Sequence, residues 1–492
     1  MELNLDVAKC DIKLGRHKKI TIFVCSFVDI QVQNLYNVIE KNASSCKKGE
    51  YVMKFNRDKY LNQLIKSKEN GFPKVITGIR RCGKSYLLDT IYREYLEKNG
   101  VNPDNILYID LEDALNYKYW DPLYLYDYVL NVSKNKDGVI YVFIDEIQHV
   151  YKILNPNLTN GEHVKANDND EDVISFVNVV LGLSKKNNLD VYVTGSNSKM
   201  LSSDIATELR NKETEIKVEP LSFKEFLDAT NLEPETALNE YMFHGGMPLS
   251  LYEKTDAGKE EYLLGLIEKT YIKDVIERKG FRNEEAVREV LNVLSSCVGQ
   301  LINSSNVSNY FESVKKQKID DETVQKYINS FIDCFLIKKA ERYDIKGKAK
   351  IGAQYKYYFS DLGLRNALLS FLHSDDGFSL ENVIYNELIY RGFNVDVGVV
   401  ETNEPNKNGN YVRKQREVDF IATRGSEKYY IQSAFSLTSQ EAYFREKESI
   451  SKINDFNKKI LVVRDSIKLR RDEKGIETIG AVEFLLNEDY LR

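Results

Sequence analysis

Apolar and polar positions change their period several times along this chain, and each change marks an element. From Arg57 to Lys68, Leu61, Leu64 and Ile65 fall at helical spacing and predict a short amphipathic helix. Val75 and Ile76 then read as a buried parallel strand, Gly78 to Gly83 as a loop, and Ser85 onward as a helix. Further strands are expected over Asn105–Asp110, which ends among the acids Asp110, Glu112 and Asp113, over the apolar run Gly138–Ile147, and over Asn188–Ser198. Between the last two, Asn155–Asp172 is polar, Asn-rich and acidic, the composition of a mobile insertion. Residues 232–280 read as helices. Glu284–Leu301 is amphipathic, Asp320–Phe335 is a periodic helix with Val324, Tyr327, Ile328, Phe331 and Ile332 on one face, and Leu336–Ser360 reads as two strands around Gly347. A helix over Glu381–Glu387 and strands over Phe393–Val397, Arg416–Ala422 and Lys428–Ala434 complete the pattern. Residues 1–52 show little of it beyond a strand-like Ile20–Val28, and Met53 reads as a native beginning.

Strands alternating with helices predict an α/β fold, and two strand ends carry chemistry. Gly78-Ile79-Arg80-Arg81-Cys82-Gly83-Lys84-Ser85 is G-x-x-x-x-G-K-S between a strand and a helix, the context that a P-loop requires. Loop residues Gly78, Arg80, Arg81, Cys82 and Gly83, with Lys84, Ser85 and Tyr86, are the candidate nucleotide contacts. Their backbone N–H groups can face a phosphate, Lys84 can reach the β and γ oxygens, and the Ser85 hydroxyl can ligate Mg²⁺. Ile144-Asp145-Glu146 ends the next apolar run as a Walker B pattern, with Asp145 for the Mg²⁺ shell and Glu146 to orient or deprotonate water. Ser196 and Asn197 lie at the following strand tip, where they can sense a γ-phosphate or cap the next helix.

Composition narrows the class. At 492 residues the chain is expected to hold two to four domains, and 42% hydrophobic residues suffice for packed cores. A net charge of −6 argues against a surface coated for nucleic acid and confines any such surface to a local patch. Six cysteines without C-x-x-C spacing fit a reducing compartment, and Cys82 stands inside the phosphate loop, where modification of its thiolate would block nucleotide. No apolar run reaches 18 residues, so a cytoplasmic protein without a membrane span is expected.

Together with Thr194-Gly195-Ser196-Asn197-Ser198, Leu209-Arg210-Asn211-Lys212, Pro220-Leu221-Ser222-Phe223 and Gly245-Gly246-Met247-Pro248, these motifs closely resemble the prokaryotic AAA-family ATPases that carry a C-terminal domain of unknown function. The resemblance runs from about Met53 to the C-terminus. It implies a trans-acting arginine near Arg210, where this chain has Asn211-Lys212, so that Lys212 or Arg210 would take the part. It also implies adenine-side contacts from Gly246 and Pro248.

The helices and hairpin of 283–360 are ordered as in a winged helix, with Lys338, Lys339, Arg342, Lys346, Lys348, Lys350 and Lys356 as a basic stripe that serves either a DNA phosphate backbone, or a solvated hairpin or intersubunit interface. The last unit is similar in layout to the PD-(D/E)XK nuclease core. A helix acid (Glu381 or Glu387) and the strand acid Asp419 are kept, but Gln432-Ser433-Ala434 stands where Glu-x-Lys belongs. The expected domains are an N-terminal extension (1–52), an AAA-type P-loop core (53–230), a helical lid (231–282), a winged helix (283–360) and a nuclease-like α/β domain without catalysis (361–492). The expected function is slow, regulatory, Mg²⁺-dependent ATP hydrolysis coupled to rearrangement of domains, of a protein partner or of a homo-oligomer. The alternatives are an ATP-gated DNA-processing or defence nuclease and a nucleotide-binding signalling scaffold without turnover.

Overall fold

The computed structural model describes residues 7–14, 18–25, 54–167, 169–196, 213–372, 376–405, 411–437 and 440–491. The chain forms two compact units, Met1–Lys54 and Phe55–Arg492. In the first, β1 (Val7–Leu14) and β2 (Lys18–Cys25) make an antiparallel hairpin, so the expected strand around Ile20 belongs to a pair.

The second unit opens with α1 (Asp58–Ser67), which buries Tyr60 and Leu64 on its inner face. β3 (Lys74–Thr77) leads through the glycine loop into α2, which runs as Lys84–Tyr86, a π turn at Leu87–Tyr92, and Arg93–Lys98. β4 (Ile106–Asp110), α3 (Pro122–Ser133), β5 (Ile140–Asp145), the short pair β6 (Ile153–Leu154) and β7 (Val173–Ile174), α4 (Phe176–Ser184), β8 (Leu189–Gly195) and β9 (Thr214–Lys217) follow. Five of these strands form a wholly parallel sheet in the order β4-β5-β8-β3-β9. Every residue of β3, β5 and β8 is buried, as expected where helices cover both faces. On one face Val142, Ile144, Val191 and Val193 pack with Leu125, Val129, Val180 and Leu183 of α3 and α4. On the other, Tyr92 of α2 meets Phe143 and Tyr192. The carboxyl ends of β3, β5 and β8 therefore open side by side, where ligands collect in such sheets.

Against the expectation of a mobile insertion, the described residues 155–167 and 169–172 carry hydrogen bonds at both ends. Leu154 N donates to Val164 O (2.8 Å), Ala166 N to Lys152 O (2.9 Å) and Asn155 N to Asp172 O (3.0 Å), and β6 pairs with β7. Asn155 and Asp170 bond within its own turns and His163 bonds Asp121 outside it, so composition alone misreads it.

A helical layer follows: α5 (Phe223–Thr230), α6 (Pro234–His244) and α7, which runs as Asp256–Leu266, a π turn at Ile267–Ile272, and Lys273–Lys279. Then come α8 (Glu284–Ser296), α9 (Ser304–Tyr310), α10 (Asp321–Asp333) and the hairpin β10 (Ile337–Asp344) and β11 (Ala349–Phe359). The C-terminal part adds α11 (Leu362–Leu368), α12 (Asp376–Tyr390), β12 (Asn394–Pro405), β13 (Tyr411–Arg424), β14 (Glu427–Ala434), α13 (Gln440–Ser451), β15 (Lys458–Val463), β16 (Arg470–Arg471), β17 (Ile476–Gly480) and α14 (Ala481–Leu486). These strands form one eight-stranded mixed sheet, β11-β10-β12-β13-β14-β15-β17-β16. Arg342–Asp344 of β10 pair in parallel with Val397–Val399 of β12, so the hairpin expected as a wing is the edge of the C-terminal sheet. A boundary at residue 360 cuts through that sheet.

No helix among the described residues is long and apolar enough to cross a membrane.

Candidate nucleotide site

A cavity of about 390 Å³ lies against the carboxyl ends of the parallel strands, within the usual size of small-molecule sites. Its lining combines charged and polar groups, with Lys84 4.0 Å from Glu146 and Arg80 linked to Glu146 through Ser196, and apolar ones, with Phe55 meeting Tyr86 and Tyr252 edge to face at centroid separations of 6.1 and 6.0 Å.

The loop is shaped by close approach. Gly78 has φ 144°, and a Cβ there would overlap the carbonyl oxygen of Val218 beside β9, so the position admits glycine alone. Lys84 is 4% exposed, and its Nζ donates to the carbonyls of Gly78 (3.1 Å) and Ile79 (3.2 Å) while lying 4.0 Å from Glu146 Oε1. Cys82 is fully buried and its Sγ faces Val218 O at 3.4 Å. Burial pushes its thiol up, which removes the reactive thiolate that its place in the sequence suggests.

At the end of β5, Asp145 accepts from the Tyr108 hydroxyl (2.8 Å) and from the Thr194 hydroxyl. Its neighbour Glu146 takes the left-handed conformation, φ 51° and ψ 51°, a strained turn of the kind found at functional sites. That turn is held by Glu146 N donating to Thr194 Oγ1 at 2.9 Å. The Glu146 carboxylate accepts from Gln148 Nε2 and from Ser196 Oγ (3.1 Å). Burial alone would raise its pKa, but Lys84, Gln148, Arg80 and Ser196 outweigh burial and hold it below the ordinary carboxylate range. Glu146 is thus kept ionised and aimed at the cavity.

The structure thus brings Arg80, Arg81, Cys82, Gly83, Lys84, Ser85, Tyr86, Glu146 and Pro248 to one cavity, with Ser196 hydrogen-bonded to Glu146. Gly246 is elsewhere. It is packed where a Cβ would lie 2.5 Å from Leu221 O, and its N–H donates to Asp361 Oδ2 at 2.6 Å, so it supports the Met247-Pro248 turn and stays out of the lining. Asn197, Arg210 and Lys212 fall outside the described residues. Sequence reasoning missed Phe55, Arg57, Glu112, Tyr252 and Thr270 in the lining. Glu112 was signalled by its place after an apolar strand, whereas Phe55 and Arg57 precede the first helix without a motif. The donor set suits a divalent cation and polyphosphate: a hydroxyl at Ser85, an oriented carboxylate at Asp145, and cations at Lys84 and Arg80.

The basic stripe expected on the β10–β11 hairpin is partly consumed within the fold. Lys338 is buried against Glu219 (2.7 Å) and Arg342 bonds Gln415, whereas Lys339 and Lys350 pair with Glu341 at the surface and Lys346 and Lys348 are exposed at the turn. Lys356 is 2% exposed, with Nζ 2.8 Å from Glu381 Oε1, 2.6 Å from Glu417 Oε1 and 3.9 Å from Asp419 Oδ1. An ammonium from β11 therefore stands near Asp419, where Ala434 offers none. Glu381 is the helix acid facing Asp419, while Glu387 pairs with Arg391 at 2.6 Å. Burial and the nearby Glu381 push Asp419 up to about 8. Gln432 stays neutral and accepts from Asp419 N (3.3 Å) and Ser449 Oγ (3.2 Å).

The parallel sheet with its glycine loop is that of an AAA-type P-loop ATPase. Residues 70–227 match the family model described as AAA domain, and residues 235–375 match one described as domain of unknown function (DUF8612). The chain belongs to the family of an uncharacterized protein of Haemophilus influenzae, to which it is 33% identical over 436 residues, 88% of this chain and 98% of that protein. An uncharacterized protein of Methanocaldococcus jannaschii is 29% identical over 474 residues, covering 89% and 93% of the two chains. Among solved structures, a Walker-type ATPase of Pyrococcus abyssi aligns over 64% of this chain and 96% of its own, at 17% identity and a TM-score of 0.41. The ORC1 protein of Aeropyrum pernix in complex with DNA aligns over 64% and 93%, at 12% identity and a TM-score of 0.27.

Proposed function

We propose that this protein binds ATP with Mg²⁺ in the cavity at the sheet's carboxyl edge and hydrolyses it, using the cycle to rearrange its lid and C-terminal sheet. The observation that carries this reading is one cavity lined by Lys84, by the Phe55, Tyr86 and Tyr252 rings and by Glu146. Lys84 leaves the loop carbonyls of Gly78 and Ile79 for the β and γ oxygens, and Phe55, Tyr86 and Tyr252 cover the base. Ser85 and Asp145 would hold Mg²⁺, which supplies neutralisation of the phosphate charge. Glu146, kept ionised, orients a water or takes its proton, the role that phosphoryl transfer asks of a carboxylate in that place. Lys84→Ala should abolish binding of a fluorescent ATP analogue, whereas Glu146→Gln should bind it and release phosphate at least a hundredfold more slowly, of the order lost with one transition-state donor. Equal loss of binding in both variants would remove these roles.

Lys356 favours a second reading of the C-terminal sheet. The expectation of no DNA cleavage rested on a neutral Gln432 and a missing ammonium, and only Gln432 still supports it. Supercoiled DNA incubated with the protein in Mg²⁺ or Mn²⁺, with and without ATP, separates the readings. A regulatory ATPase leaves the DNA intact. A nuclease nicks it, and both Asp419→Ala and Lys356→Met abolish the nicking.

A further inference from the structure

Arg80 of the phosphate loop is tied to the helical lid at two points. Its Nη1 lies 3.0 and 2.9 Å from the carboxylate oxygens of Asp274, and its carbonyl oxygen accepts from the Tyr271 hydroxyl at 2.7 Å. Both partners come from α7 at or just past its π turn, Ile267–Ile272. A π turn inserts one extra residue, re-aims the side chains beyond it, and recurs at functional sites. The same guanidinium donates through Nε to Ser196 Oγ (3.2 Å), and Ser196 donates onward to Glu146. Arg80 thus lines the cavity beside Glu146, to which Ser196 links it, and Glu146 is the group expected to meet the terminal phosphate.

Resting on the nucleotide reading above, we propose that Arg80 discriminates triphosphate from diphosphate: it exchanges Asp274 for the γ-phosphate and so releases one of the two ties of α7 to the phosphate loop, the Tyr271 bond being kept. The balance of charges supports the exchange. Arg80 and Asp274 are 22% and 17% exposed, so the attraction within the pair is largely offset by the water that both groups have lost. A guanidinium on a phosphate makes two parallel charge-assisted bonds and is stronger. A diphosphate has no γ oxygens, so the Arg80–Asp274 pair persists. Lys84 makes the distinction only in part, because the β-phosphate common to both nucleotides also engages it.

The test uses the full chain with Mg²⁺ and compares affinities for ADP and for an ATP analogue with a non-hydrolysable β–γ bridge. Arg80→Gln should weaken the analogue on the order of tenfold or more, the loss typical of a hydrogen bond to a charged group, with ADP little changed. Asp274→Asn, which leaves the phosphate contacts alone, should tighten the analogue and speed amide exchange in 267–279 without nucleotide. Equal weakening of both nucleotides in Arg80→Gln, or a weaker analogue in Asp274→Asn, overturns the proposal and leaves the ATP site standing. Absence of binding of either nucleotide to the unaltered protein removes both.

Discussion

Asp361 is 3% exposed, and its carboxylate accepts from the backbone N–H groups of Gly246 (2.6 Å) and Leu364 (3.1 Å). Burial pushes its pKa from the ordinary 3.8 to about 6, against the pull of those N–H donors. The folded state therefore holds this proton more tightly than the unfolded chain does. The stability so gained is complete below pH 3.8 and is lost as pH rises to about 6, a loss of roughly 3 kcal/mol from this group. Asparagine mimics the protonated form, so Asp361→Asn should gain on the unaltered protein by about that amount between pH 4 and 7 in denaturant titrations. Parallel stability profiles would show that Asp361 stays ionised in the fold. Nothing in the sequence marks Asp361, because its partners are N–H groups that any residue carries. Lys84, Ser85 and Glu146 were legible because their chemistry depends on spacing within one turn or strand end. Arg57 was not, since its partner Glu225, at 2.9 Å, is 168 residues away.

At the scale of elements, the strands of the parallel sheet were readable because burial on both faces leaves continuous apolar runs. The fate of 155–172 was not, because hydrogen bonds between turns leave no periodicity. One residue joins that segment to the sheet's cover. Asp121 caps α3 by accepting from Leu123 N (2.9 Å) and Tyr124 N (3.1 Å), and its other oxygen meets His163 Nδ1 at 2.9 Å. Asp121→Ala removes the cap and the tether at once. It should cost about 1–2 kcal/mol in thermal or chemical unfolding and raise amide exchange across 155–167. Exchange confined to the first turn of α3 would show that His163 tethers nothing. The β10–β11 hairpin teaches the converse. Its strands and turn were plain from the sequence, but which sheet they join is decided by pairing with β12, more than 50 residues on.

Across the whole molecule, buried charges join parts that the sequence keeps far apart. Lys356 of β11 sits among carboxylates of α12 and β13, so Lys356→Met strands Glu381 without a cation and should cost about 3–5 kcal/mol. Adding Glu381→Gln should recover much of that loss, and an unchanged loss in the double variant would assign the cost to packing. A similar tie closes the molecule around its first helix. Lys59 donates to the carbonyl of Tyr390, 331 residues later, and Tyr60 meets the Tyr390 ring edge to face at 6.1 Å. At about 5–20 residues per second, a ribosome needs roughly 17 to 66 s to travel between those two positions. Through that interval the nascent parallel-sheet half waits without the Tyr390 contacts of α1, and the helix that brings them, α12, emerges only just ahead of the strands β12–β17 of the sheet that ATP is proposed to move.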